Sequence, residues 1–366
     1  MNTPPAARVA RRLLAVSIAG IACFALLGSA VAWAGAIVSN GTVALGVNDT
    51  GELNFRDPAT RVVRGVTFLP TGLDGLAGGC LCEGWGAANA DPADTFFGKA
   101  NREQPPVAPA GPTVRPVSFT ATASTAVSVT RIADKLQVTH EFRPFAGSRN
   151  LYEVAVTLQN IGAAPLADVR YTRLMDWDIA PTPFSEFVTI GRGHTPELLH
   201  SDDNGFADNN PLAPRDLSLS CPECDPRSVD ADITDSGPVD HGALFDFGFG
   251  ALAAGQSRSF SLFYGATRNE ADADAAVAAS GAPVFSYGQP STSAGARSGE
   301  PTTFVFAFNP SGPTVGRTVV ARVVSGEVLV RPPGPPSGLA ELHGAAVLPV
   351  GSVIDARRGR LALTSV

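Results

Sequence analysis

The stretch Leu151-Tyr152-Glu153-Val154-Ala155-Val156-Thr157-Leu158-Gln159-Asn160, followed by Ile161-Gly162-Ala163-Ala164-Pro165-Leu166, decides the fold. Tyr152, Val154, Val156 and Leu158 fall on one side of an extended chain and Glu153, Thr157 and Gln159 on the other. That period-2 alternation is the mark of a half-buried strand. Gly162 and Pro165 break the run and turn the chain into a second extended segment, Val169 to Trp177.

Strand signals recur outward from this pair. Val43, Leu45 and Val47 share a face, and Asn48-Asp49-Thr50-Gly51 turns the chain into 53–55. Val62, Val63, Val66 and Phe68 mark a third strand, and 114–130 with 135–143 reads as a hairpin turning at Asp134. Strands return at 243–249, 260–264 and 303–308. The Gly-rich stretch 70–111 reads as irregular, and 192–242 as a long excursion rich in Asp, Asn, Gly and Pro, of the kind that carries function or disorder. One helix is expected at 270–280. Asn269 caps it, Glu270, Asp272 and Asp274 lie at its positive end, and Gly281 ends it.

These elements predict an all-β chain, a large two-sheet antiparallel sandwich with one short helix over 35–316. A small C-terminal β module follows over 317–366. It contains Gly326-Glu327-Val328-Leu329-Val330 and Pro332-Pro333-Gly334-Pro335-Pro336, and it stops at Val366 inside a strand-like run, so the module is expected to be incomplete.

The composition agrees. Among 366 residues there are 38 Gly and 30 Pro, and charged residues are 17%, below the usual share of about 25%. Coiled coils, long helical bundles and charge-driven disorder are excluded. Residues 1–34 read as a secretory signal, with Arg8, Arg11 and Arg12 ahead of an apolar run and the cleavage frames Ala30-Val31-Ala32 and Ala32-Trp33-Ala34. Its removal takes the net charge from −7 to −10, because it carries three arginines and no acid. An acidic chain repels phosphate backbones, so nucleic acid is excluded as a partner. No later run is long enough for a stable membrane span after cleavage, and the expected location is secreted or cell-surface associated.

Export gives the cysteines meaning. Cys80 and Cys82 form C-x-C, and Cys221 and Cys224 form C-x-x-C. An even count in an oxidising compartment points to disulfides, in three possible connectivities; cross-linking the two pairs would staple 71–100 to 194–240. A four-thiolate zinc site and a C-x-x-C redox pair are the alternatives.

Five blocks carry a resemblance: Gly41-Thr42-Val43 with Gly46-Val47-Asn48-Asp49; Cys80-Leu81-Cys82-Glu83-Gly84-Trp85-Gly86; Met175-Asp176-Trp177-Asp178; Ser185-Glu186-Phe187-Val188-Thr189; and Asp240-His241-Gly242-Ala243-Leu244-Phe245-Asp246-Phe247-Gly248. Over roughly 36–309 the chain resembles a group of secreted bacterial β-sandwich proteins of unassigned function, some bearing PEP-CTERM sorting tails. The resemblance implies a fold and an exterior location but no activity. The Pro-Glu-Pro, hydrophobic span and basic tail of the anchored members are missing, so sorting-tail anchoring is not implied. Residues 325–366 resemble the start of a FecR-like module.

Three constellations are candidates for chemistry. Asp202, Asp203, Asn204 and Asp208 crowd a Gly turn with oxygen donors of the kind calcium takes, although an EF-hand register fails because Pro211 would stand where its Glu belongs. The competing reading is plain turn chemistry. Asp176 and Asp178 share a strand face around Trp177. With Glu186 they combine paired carboxylates and an aromatic platform, as sugar-binding sites and glycosidases do, with Trp85 a second platform. The competing reading makes Trp177 core. His241 beside Asp240 is the last candidate, but no Gly-x-Ser-x-Gly nucleophile elbow accompanies it.

The reading that follows is a secreted, non-catalytic β-sandwich protein of the cell surface or extracellular matrix. Carbohydrate, in cell-wall or extracellular glycans, is its ligand class, and calcium its candidate cofactor. The alternative is a carbohydrate-active enzyme, a glycosidase or mutarotase-like protein on a two-sheet supersandwich, using Asp176, Asp178, Glu186 and His241.

Overall fold

Nine antiparallel strands form the largest sheet of the computed structural model. Their order is Ile233–Val239, Glu186–Gly191, Val284–Gln289, Thr303–Asn309, Ser257–Thr267, Leu151–Asn160, Leu136–Pro144, Ala126–Ile132 and Arg115–Ala121. The structure describes residues 1, 35–80, 82–101, 114–193, 195–215, 228–310, 318–333, 338–342 and 345–364. The leader reading of 1–34 and the pair Cys221 and Cys224 lie outside these residues.

Five strands form a second sheet, ordered Leu198–Asp202, Gly242–Leu252, Leu166–Asp176, Gly84–Asn89 and Phe96–Asn101. Alternating residues of the two sheets meet as rows of rings. Phe245 lies 5.2 Å from Phe308, Phe247 lies 4.9 Å from the same ring, and Tyr171 meets Phe260 edge-on at 5.0 Å. The chain is therefore an all-β sandwich. A four-stranded sheet, Ala36–Ser39, Val43–Val47, Val66–Phe68 and Leu73–Asp74, adds Val43, Leu45, Val66 and Phe68 to the same core.

The helix Glu270–Ser280 forms where expected. The Asn269 side chain accepts the Asp272 N–H, and Gly281 closes the C-terminus in the left-handed region at φ 66°. Ala273, Ala276 and Val277 pack with Phe263, Val305 and Ala307 on the outer side of the nine-stranded sheet. Toward the C-terminus, Thr318–Arg331 pairs with Ala340–Glu341, Ala345–Pro349 and Val353–Thr364 around a small core of Ala321, Val328, Val330, Leu342 and Leu348. Ala146 of the main body packs against that core, and 33–366 form one compact unit. Among the described residues no helix is long and apolar enough to cross a membrane.

The structure departs from the sequence reading in several places, and the excursion 192–242 holds the strands Leu198–Asp202 and Ile233–Val239. The segment expected to be irregular, 70–111, holds two strands of the five-stranded sheet, Gly84–Asn89 and Phe96–Asn101. Gly84–Asn89 is buried along its whole length, so it shows no alternation to read. A Cβ at Gly86 would stand 2.0 Å from the Asn209 carbonyl, so this strand needs a glycine where a loop crosses it. The run 114–130 is two strands turning at 122–125, and Val284–Gln289 forms a strand at an unread position.

Candidate functional site

The strand Leu166–Asp176 ends among carboxylates. Asp176 is its last residue, and the chain then runs through Trp177 and Asp178, crosses 179–185, and starts a strand of the other sheet at Glu186. The turn at Asp240 and His241 comes alongside: the His241 carbonyl accepts the Trp177 N–H at 3.3 Å, and the His241 N–H donates to Glu186 Oε1 at 3.2 Å. Glu186 Oε2 accepts the Ser185 N–H at 3.0 Å. Gly205 and Gly242 let the 203–205 loop lie against the strand end, since a Cβ at Gly205 would be 2.5 Å from Asp176 Cα. The expected group of Asp176, Asp178, Glu186 and His241 is thus brought together, with Asp240 as a further member.

Three of its acids are almost fully enclosed, while Asp240 is half-buried. Asp178 and Glu186 are 0% exposed and Asp176 is 2% exposed. Asp176 Oδ1 is buried without a hydrogen-bond partner, and the Gly79 amide is the one hydrogen-bonding group set against the burial of Asp178. Burial pushes the Asp178 carboxyl up to about 7, assisted by Asp240 and Asp74, while the Gly79 amide opposes the shift. Burial raises Glu186 to about 9, against the His241 and Ser185 amides and with the help of Asp240 and Asp178. Asp176 rises well above the ordinary carboxylate range through burial and the charges of Asp178, Asp240 and Glu186. The neighbouring charges acting on these three acids are all carboxylates, so each is held toward its neutral form.

Neither tryptophan is a platform. Trp177 is 0% exposed; its Nε1–H donates to Ser286 Oγ at 3.0 Å, and its ring packs against Phe304 and the Gly288 backbone. Trp85 is also 0% exposed, donating to the Thr50 carbonyl at 2.9 Å and stacking on Tyr171. The stacking role expected of both is corrected: they lie between the sheets, where ring area contributes most to the core.

The acidic loop is divided among protein partners. Asp202 pairs with His200 at 2.8 Å and accepts the Asn204 N–H. Asp203 faces His241 Nδ1 at 3.2 Å and accepts the Ser228 N–H. Asn204 accepts the Phe206 N–H, and Asp208 pairs with Lys99 at 2.7 Å. Among the described residues no three His, Cys, Asp or Glu side chains are placed to hold a metal ion. Donors turned to separate partners do not form the oxygen cage that calcium needs, so the arrangement at Asp202, Asp203, Asn204 and Asp208 is turn and ion-pair chemistry.

Cys80 is joined to Cys82, their Cα atoms 5.2 Å apart. The sulfurs of C-x-C close on each other, so neither staples 71–100 to 194–240, and neither is a free thiolate for zinc. Cys80 Sγ lies 3.4 Å from Asp176 Oδ2, which sets the disulfide directly beside the carboxylate group.

A second polar cluster escaped the sequence reading. Arg173 and Glu83 are both buried between the sheets, with Arg173 Nε donating to Glu83 Oε1 at 2.6 Å. Tyr264 Oη donates to the same oxygen at 2.6 Å, and the Leu53 N–H to Glu83 Oε2 at 2.5 Å. Arg173 also donates to the Gly51 carbonyl and to Tyr171 Oη, and Tyr171 Oη meets His140 Nε2 at 3.0 Å. Burial, then the Arg173 charge, hold His140 well below its ordinary pKa and therefore neutral. This network ties the 48–53 turn to both sheets. The only sequence signal was charge in otherwise apolar strands, Glu83 beside Trp85 and Arg173 beside Leu174.

No protein-family model matches the chain, and no curated protein is similar to it.

Proposed function

We propose that the chain is a β-sandwich protein of the cell exterior that works by associating with the cell surface or extracellular matrix, and not by turning over a sugar. The observation that carries this reading is the sealing of the carboxylate group. Trp177 and the acids flanking it lie beneath the surface, where a sugar ring meets neither an aromatic face nor an acid–base pair. The Cys80–Cys82 disulfide suits an oxidising compartment, and the secretory-type leader and the motif blocks favour the same location.

Glycans are the ligand class to test first. Full-length protein is applied to a glycan array and to isolated cell walls, and assayed in parallel against a panel of glycosidase substrates. Binding without turnover is the expected result. Hydrolysis that disappears in Glu186→Gln would establish the enzyme alternative, and absence of binding to walls, matrix and glycans would overturn the association reading.

A further inference from the structure

We propose that Cys80 and Cys82 are a thiol–disulfide exchange pair, with Cys80 the sulfur that partners reach, Cys82 the buried resolving sulfur, and Asp176 the carboxyl that supplies and recovers the proton of Cys80. Three observations converge on this. The bond spans a sequence separation of two, and a loop that short removes little freedom from the unfolded chain, so cross-linking for stability is a weak account of it. The two residues differ in exposure: Cys80 is half-buried beside exposed Gly78, whereas Cys82 is 1% exposed. Asp176 Oδ2 lies 3.4 Å from Cys80 Sγ, and Asp176 is buried with its other oxygen unpartnered. A disulfide sulfur carries no hydrogen, so any proton in that contact belongs to the carboxyl. The burial and the carboxylate neighbours of Asp176 keep it in the protonated form that can donate.

The geometry suits oxidation of a dithiol on another protein. A partner thiol that has lost its proton to solvent attacks Cys80 Sγ. The Cys80–Cys82 bond breaks, and its electron pair goes to Cys82 Sγ, which takes a proton from solvent. The partner's second thiolate, its proton also lost to solvent, then attacks the partner sulfur of the mixed disulfide. Cys80 leaves as thiolate and takes the proton of Asp176, which is reprotonated from solvent. Two electrons and two protons pass to Cys80 and Cys82, and the partner gains a disulfide. The reverse sequence uses the Asp176 carboxylate as the base that activates Cys80. Phe184, 53% exposed and packed over Gly79, gives a partner an apolar contact beside the entry to Cys80.

The test uses the full-length oxidised protein in native buffer with dithiothreitol as the dithiol. The reaction is quenched by alkylation, and peptide mass mapping separates Cys80 and Cys82 from Cys221 and Cys224. Opening of the bond without denaturant is expected, with Asp176→Asn slowing it by roughly tenfold or more and altering its pH profile. Cys82→Ser should trap a mixed disulfide with glutathione at Cys80, whereas Cys80→Ser should trap none at Cys82. The two cysteine variants test the exchange pair even if Asp176→Asn does not fold. A bond that opens only in denaturant, equal trapping at both positions, or an Asp176→Asn protein with unchanged rate and pH profile would overturn the proposal. None of these outcomes bears on glycan or cell-wall binding, which tests the association reading separately.

Discussion

Arg173 and Glu83 show what one buried charge contributes here. Each is fully enclosed, and each satisfies the other together with the Tyr264 hydroxyl and two backbone groups. Arg173→Met leaves the Glu83 carboxylate enclosed without its cation and should cost about 3–5 kcal/mol, read by urea denaturation. Adding Glu83→Gln should recover part of that loss, because the two substitutions act on one network. The acids at the strand end have the opposite character, since no cation offsets them. Asp178 and Glu186 have folded pKa values near 7 and 9, above their ordinary values, so the native state keeps protons that the unfolded chain releases. Their stabilising contribution is complete below about pH 4 and is lost as pH rises through those folded values. Asp178→Asn should therefore raise the melting temperature at pH 8 much more than at pH 5; an equal effect at both would contradict this account.

The helix Glu270–Ser280 is the element whose bounds the sequence states most directly, because its signals are local. Asn269 supplies the oxygen for an end amide, and Gly281 supplies the left-handed residue that stops it. Asn269→Ala should destabilise the protein by about 1 kcal/mol, measured by thermal or urea unfolding. The Leu151–Asn160 strand was equally plain, since from Val154 onward buried residues alternate with half-buried ones. The Gly84–Asn89 strand was hidden for the converse reason. With Leu166–Asp176 on one side, Phe96–Asn101 on the other, the core below and the 209–211 loop above, no residue of it faces water, and alternation vanishes. The same sealing turned Trp85 and Trp177 from expected platforms into core.

Across the whole molecule, apolar area is divided unequally. The main sandwich carries rows of aromatic rings between its sheets, while the Thr318–Arg331 sheet packs, among the described residues, on aliphatic side chains such as Val328, Val330, Leu342 and Leu348. Local opening should be correspondingly easier there. In native-state hydrogen exchange, amides of 318–364 should be protected less than those of 151–160 and 257–267, and equal protection would show one cooperative unit. Residue order alone was enough for the all-β class, the two-sheet sandwich and the helix bounds, because period, caps and composition act over a few neighbours. It left open which cysteines pair, whether the tryptophans meet ligand or core, where the acidic loop directs its side chains, and that Glu83 would find Arg173. Those outcomes depend on which segments far apart in the chain come within a few ångströms. Burial then sets both what a side chain can touch and the charge it can carry.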